Sequence, residues 1–351
     1  MANEDGKKTI DNMTPDQILR EAIETGSVEL WAEATKRGAS ITLDRMLAES
    51  AFAGHIVMCV HAIDLGATDY NTMLYRAAEG AREDICELAL SKGADPEQAL
   101  SGAAHGRRAA MCRFARERGA HNWERMLSDS AAAGWRVGCM LAIMWGAKNV
   151  LGMFRIAVKC GYVHLCDIAH TSGLDANTML NYAAQNNNVP FCEAAKGFGA
   201  DRFENMLRVG ASMGHADICR LAHAWGARDL DYALRLAGET GRTDIIELIR
   251  KLGVTDSESM LAAAAANGHI DVCRLARRYG ATKYNQMLLE AARHGHAGIC
   301  ELAREWGAND WDGMLKEALW AKHYDICALA VKWGADNTEL LELFRSVDGS
   351  K

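Results

Sequence analysis

Two kinds of apolar burst alternate along this chain, with polar, Gly-containing breaks between them. The first has the form Met-Leu-x-x-Ala-Ala, as in Met287-Leu288 followed by Ala291-Ala292. Leu and the two Ala lie three and four residues apart, which places them on one face of a short helix. The second has the form Cys-x-Leu-Ala, as in Cys300 followed by Leu302-Ala303, and lines one face of a second helix. A Gly-His dipeptide or a variant of it ends the first helix: Gly54-His55, Gly214-His215, Gly268-His269, Gly295-His296. A second Gly, nearly always followed by Ala, ends the second helix. A left-handed conformation is expected there, because Gly adopts it cheaply.

These terminal glycines form a ladder: Gly38, Gly66, Gly93, Gly119, Gly146, Gly173, Gly199, Gly226, Gly253, Gly280, Gly307 and Gly334. Successive members are 26 to 28 residues apart, most often 27. Seven residues before the Gly stands Cys in ten of the twelve units, with Trp31 and Ile246 as the exceptions. A period in this range is the mark of a solenoid, in which each helix pair buries its apolar face against its neighbours. The prediction is an all-α helix-turn-helix repeat of about twelve units. Residues 13–347 would form one array, the first unit and last helix acting as caps, with disordered ends at 1–12 and 348–351. Thr14-Pro15 fits a helix start, Thr as cap and Pro in the first turn. The stretch Asn186-Asn187-Asn188-Val189-Pro190 lacks Gly-His and is the expected soft spot.

The repeating unit resembles the ankyrin repeat. The ankyrin pattern T-P-L-H-x-A-A-x-x-G-H…G-A aligns with MLLEAARHGH…WGA between Met287 and Ala308. An ankyrin unit has about 33 residues, and the shortfall here lies where its β-hairpin finger would be. The resemblance therefore implies an ankyrin-like solenoid without fingers. Short, Cys- and Trp-rich repeats of this kind are similar to those of large DNA viruses, which implies a viral protein that engages a host protein in the cytoplasm.

Composition narrows the function. The 351 residues carry a net charge of −7, so the Lys and Arg field that nucleic acid demands is absent. The densest basic stretch, Arg107, Arg108, Arg113, Arg116 and Arg118, is interleaved with Ala and Glu and reads as a solvated helix face. No apolar run reaches the ~20 residues that span a bilayer, and the N-terminus is polar. A soluble cytoplasmic protein is expected.

The eleven cysteines could suggest disulfides or zinc, but ten recur at one structural position and no Cys-x-x-Cys occurs. Neighbouring repeats stack too far apart for the Cα separation of ~7 Å that a disulfide tolerates. Core packing in a reducing compartment is the reading, with Cys160 as a more exposed exception. Pairs such as His269/Cys273 and His296/Cys300 imitate a base and nucleophile. They repeat with the fold, however, so His should cap or bond the turn. Trp145, Trp225, Trp306 and Trp333 directly precede a ladder Gly, and Trp123, Phe203, Tyr284 and Trp311 follow one by four residues. That repetition reads as packing between units. No phosphate-binding loop, dinucleotide fingerprint or EF-hand is present. Neither an enzyme, a cofactor nor a metal is expected.

A repeat protein binds partners through positions that the repeat leaves unconstrained. Here these lie one, two and five residues after the Met-Leu leucine, the first and third sharing a helix face. They hold Phe52, Tyr75 and Trp320 as apolar candidates and Arg155, Lys159, Arg208, Arg235 and Arg293 as cationic ones. A central basic stripe on an acidic protein would suit an acidic patch on a protein partner. The expected function is a non-catalytic protein–protein interaction scaffold; the alternative is a structural component of a virion or other assembly.

Overall fold

A computed structural model describes residues 12–348, which contain 25 α-helices in a repeated arrangement and no strand. The helices cluster into two compact units that divide after Leu174. The expected disordered ends fall almost wholly outside the described residues, although Asp348 closes the last helix.

The first unit holds α1 (Pro15–Thr25), α2 (Val28–Lys36), α3 (Leu43–Ala53), α4 (Ile56–Asp64), α5 (Tyr70–Glu79), α6 (Glu83–Ser91), α7 (Pro96–His105), α8 (Ala109–Glu117), α9 (Trp123–Ala132), α10 (Arg136–Trp145), α11 (Val150–Cys160) and α12 (Cys166–Thr171). A 3₁₀ turn, Val163–Leu165, leads into α12. The second holds α13 (Ala176–Gln185), α14 (Val189–Gly197), α15 (Phe203–Met213), α16 (Ala216–Ala224), α17 (Leu230–Glu239), α18 (Thr243–Lys251), α19 (Ser257–Ala266), α20 (Ile270–Arg278), α21 (Tyr284–Arg293), α22 (Ala297–Glu305), α23 (Trp311–Ala321), α24 (Tyr324–Trp333) and α25 (Thr338–Asp348). Among the described residues no helix is long and apolar enough to cross a membrane.

In each unit an odd-numbered helix packs on the even-numbered helix that follows it and on the odd-numbered helices to either side. Three neighbours require a wide apolar face. Met287, Leu288, Ala291 and Ala292, all fully buried, supply it in α21. The even-numbered helices meet one another less extensively, and a narrower face suffices. In α22 it is Ile299, Cys300 and Ala303. All ten register cysteines are buried, and Ile246 takes the eleventh place with no exposure.

The turns follow the sequence closely. Every ladder glycine has a positive φ, from 91° at Gly93 to 121° at Gly146. Thr14 caps α1 in a reciprocal capping box with Gln17, and Pro15 sits in its first turn. Where the first turn of a pair lacks its Gly, Ala81, Arg107, Asn187 or Lys322 takes the left-handed conformation instead. The Asn-rich stretch thus closes like its neighbours: Asn187 has φ 51° and Pro190 lies in the first turn of α14. The irregular pair is instead α11–α12, whose second helix is six residues long after its 3₁₀ turn.

Candidate protein-binding surface

Most polar side chains that repeat along the chain are committed to joining successive pairs. Most odd-numbered helices are capped locally, for example by Asp69, Asn122, Asp175 and Asp310; α15, α17 and α21 are not. Ser27 caps α2, but the residues that open the later even-numbered helices, among them His55, His215, His269 and His296, do not cap them. The rings of these four histidines reach back instead to the last carbonyls of the odd-numbered helix in the preceding pair. Nε2 lies 3.0 Å from Glu24 O, 3.1 Å from Gln185 O, 2.9 Å from Glu239 O and 3.1 Å from Ala266 O, respectively. A ring nitrogen that faces a carbonyl oxygen must carry the proton, so it donates and is no base. These carbonyls have no partner within their own helix, and a donor there also suits the negative end of the helix dipole. Arg82 and Arg108 take the same role at Phe52 O and Glu79 O. The Gly of this turn has a second purpose: a Cβ on Gly295 would lie 2.8 Å from the His323 ring, and one on Gly241, in the equivalent place, 2.8 Å from the His269 ring.

The cysteines are equally unsuited to chemistry. Burial pushes the thiols of Cys59, Cys219, Cys273 and Cys300 up to about 12, so they stay protonated and inert at neutral pH. Cys160 alone is exposed. No cluster of three metal-binding side chains exists among the described residues.

A third ladder was not anticipated. Two residues before the Met position of most units stands a side-chain oxygen that accepts backbone N–H groups leading into the next odd-numbered helix. Asp44 accepts from Thr68 and Asp69 at 2.7 and 2.9 Å, Glu124 from Lys148 and Asn149 at 2.7 and 3.1 Å. Asn285 accepts from Asn309 and Asp310 at 2.8 and 3.2 Å, Asp312 from Asp336 and Asn337 at 2.9 Å each. Glu97, Asn177, Glu204 and Glu258 make the same clamp, and Asn71 accepts from Asp95 alone because Pro96 has no N–H. The backbone donors of these short loops are thereby satisfied without a β-hairpin. The N–H groups of Asp69 and Thr68 hold the Asp44 carboxyl below its usual range, and those of Asn337 and Asp336 do the same for Asp312.

The aromatic positions pack within one helix pair, not between units as the repetition suggested. Trp145 meets Trp123 edge-on at 5.2 Å, Trp225 meets Phe203 at 5.4 Å, Trp306 meets Tyr284 at 5.5 Å and Trp333 meets Trp311 at 5.4 Å. A cation from the preceding even-numbered helix covers each: Arg116 over Trp145, Lys196 over Trp225, Arg277 over Trp306 and Arg304 over Trp333.

Against this background the eight candidate binding residues separate. In the first unit Phe52 is exposed beneath the Arg76 guanidinium, 4.3 Å away, and Arg76 is itself held by Glu49 and Glu79. Tyr75 is half-buried beside the His105 ring, its hydroxyl pushed upward by burial and then by Glu79. Arg155 and Lys159 are exposed on α11. In the second unit Arg208 and Arg235 come together over one ring, that of Tyr232, at 4.7 and 4.6 Å. Each also has a carboxylate, Asp229 at 3.1 Å from Arg208, and Glu239 beside Arg235. Their stripe is thus a set of ion pairs around Tyr232, not bare positive charge.

Arg293 and Trp320 are also brought together. Arg293 bonds Glu317 at 2.9 Å, and both line a groove of about 310 Å³ with Lys316, Trp320 and Ala321. Arg293 lowers the Glu317 carboxyl through that bond. Trp320 is 82 % exposed, whereas the other eight tryptophans are buried or half-buried. It also borders an apolar groove formed with Leu319, Tyr324, Leu340 and Leu343. Neither a family model nor a curated protein matches this chain.

Proposed function

We propose that this chain is a non-catalytic protein-binding scaffold. In this reading it is an ankyrin-like solenoid of twelve fingerless helix pairs, and its odd-numbered helices present the surface that a partner contacts. The observation that carries the proposal is the exposure of Trp320 in a molecule that shelters every other Trp. An indole in water forfeits a large burial energy that a partner can recover, and Trp is prominent among binding hot spots. Lys316 and Lys322 beside it favour a partner with acidic groups beside its Trp pocket. The unpaired thiols at all eleven cysteines support a reducing compartment such as the cytoplasm. The resemblance to short viral repeats makes a host protein the first partner to seek.

The test is affinity purification of the tagged full-length protein with mass spectrometry, beside Trp320→Ala and the triple variant Arg155→Glu, Arg208→Glu, Arg235→Glu. A partner lost with Trp320→Ala, while the thermal melt stays unchanged, is the expected result. The same partners recovered from both would refute an anchoring role for Trp320. Recovery only of the chain itself or of particle components would point to the structural-component reading.

A further inference from the structure

The outward stripe of the even-numbered helices is set by the positions nine, six and two residues before the ladder Gly. In α18 these are Asp244, Glu247 and Lys251, and in α20 Asp271, Arg274 and Arg278, all exposed. Helix α10 breaks the rule completely. Its three places are Val137, Met140 and Met144, which are 50 %, 52 % and 70 % exposed. Helix α4 departs in part, with Val57 and Val60 but then Asp64. Three large apolar side chains at i, i+3 and i+7 form one continuous edge about 10 Å long. Half or more of each side chain is left in water, and the buried face of α10 is made by Gly138, Cys139, Leu141 and Ala142.

Beside this edge runs a groove of about 540 Å³ between α8 and α10, lined by Arg113, Arg116, Glu117, Leu141, Met144 and Trp145. Its charge is mainly positive. Arg116 stacks on Trp145 at 5.0 Å, and neither it nor Arg113 has a carboxylate partner among the described residues. By contrast Arg118, one turn on, is paired with Glu87, and Arg136 with Asp167.

We propose that this groove docks an amphipathic helix of a partner protein, with an apolar edge on Val137, Met140 and Met144 and an acidic edge on Arg113 and Arg116. Helix-in-groove recognition uses apolar anchors at i, i+3, i+4 and i+7, the spacing that two turns of α10 present. Exposed methionines suit the task because their unbranched side chains adapt to the incoming surface. The two guanidinium groups without carboxylates fix the partner's charge and its orientation along the groove. This surface lies on an even-numbered helix, so it is independent of the Trp320 surface.

The experiment uses the full-length protein with isotope-labelled methionine methyls. The probe is a synthetic helical peptide of about four turns with Leu at i, i+3, i+4 and i+7 and Glu along one flank. The control peptide carries Lys in place of Glu. The Glu peptide is expected to shift the methyl signals of Met140 and Met144 and to bind at least about tenfold more tightly than the Lys peptide. The double variant Met140→Glu, Met144→Lys places the charges that other even-numbered helices already carry there, so it should fold. It should weaken Glu-peptide binding by more than about tenfold, and Arg113→Glu should weaken it by about fivefold. Equal affinity for the two peptides, binding that survives the double methionine variant, or no methyl shift with either peptide would overturn the proposal. So would a wild-type dimer on gel filtration that the methionine variant dissolves, since a second copy would then be the occupant.

Discussion

The buried cysteines give this fold a calculable weakness at high pH. Cys300 is fully buried, and burial holds its thiol protonated up to about 12 against an ordinary value of 9.0. A group whose pKa is raised by folding stabilises the native state below its unfolded pKa, and that contribution is lost as pH rises toward the folded value. At pH 7 both states are protonated and nothing is lost. At pH 10 the unfolded thiol is about nine-tenths ionised and the folded one is not, so one cysteine favours unfolding by about 1.4 kcal/mol. The figure barely depends on the folded pKa, provided it stays well above 10. Lys and Tyr also titrate in this range, and a difference between two proteins removes them. Urea unfolding of wild type and Cys300→Ala at pH 7 and pH 10 isolates the thiol. Removing it costs some packing at both pH values, but the variant should lose about 1.4 kcal/mol less than wild type between them. Parallel losses in the two proteins would refute the claim that this thiol is sealed in the core. An Ellman titration offers the same test in another form: one fast-reacting thiol in the native protein, Cys160, and all eleven after denaturation.

Three further outcomes follow from the joints between pairs. Gly241→Ala puts a Cβ at φ 72° and 2.8 Å from the His269 ring, so a loss of about 2 kcal/mol is expected in urea unfolding, from left-handed strain and a displaced hydrogen bond. Asn285→Leu removes the acceptor for Asn309 N and Asp310 N, costing roughly 1–2 kcal/mol and exposing those two amides to faster hydrogen exchange. The Asp44 and Asp312 carboxyls are held below 3.8 by backbone N–H groups; their support is fully present above that pH and lost as pH falls through the lower folded values. Melts between pH 6 and 3 should show that loss and show it reduced in Asp44→Asn.

Much of the fold was legible because it rests on positions where one residue type satisfies the requirement. A left-handed helix stop wants Gly, and a small buried apolar slot takes Cys almost every time, so both ladders appear as a single letter at a nearly fixed spacing. The acceptor clamp was hidden for the opposite reason. Any side-chain oxygen at the right reach serves, and Asp44, Asn71, Glu97 and Asn285 share no letter. Its signal was present as an oxygen-bearing residue two before nearly every Met position, Leu151 being an exception, visible only once the period is known. Charge was harder still. Arg208 and Arg235 looked like part of a bare stripe because their carboxylates lie out of register, in the loop before α17 and one turn beyond Arg235. The five arginines of the dense basic stretch likewise divide. Arg107 and Arg108 bond backbone carbonyls and Arg118 bonds Glu87, which leaves Arg113 and Arg116 without acidic partners.

This division suggests where function resides in such a molecule. A residue that recurs every 27 positions is explained by the joint it makes, whether a His donating to a carbonyl, a carboxylate clamping a loop or a Trp beneath an Arg. Its repetition argues against a unique chemical role. Function is better sought where a side chain departs from its own column. Trp320 stands where the equivalent places hold Phe52, Lys159 and Arg293, and it is far more exposed than any other Trp. Met140 and Met144 stand where Glu247 and Lys251 or Arg274 and Arg278 would be ordinary. Neither departure improves the packing of the pair that carries it, since both leave apolar surface in water at a cost of about 25 cal/mol for each Å². A fold this regular can meet that cost at a few positions, and we propose that two such departures on helices of opposite parity are two separable binding surfaces. Trp320→Ala and the Met140→Glu, Met144→Lys variant should accordingly abolish different interactions, each leaving the other intact.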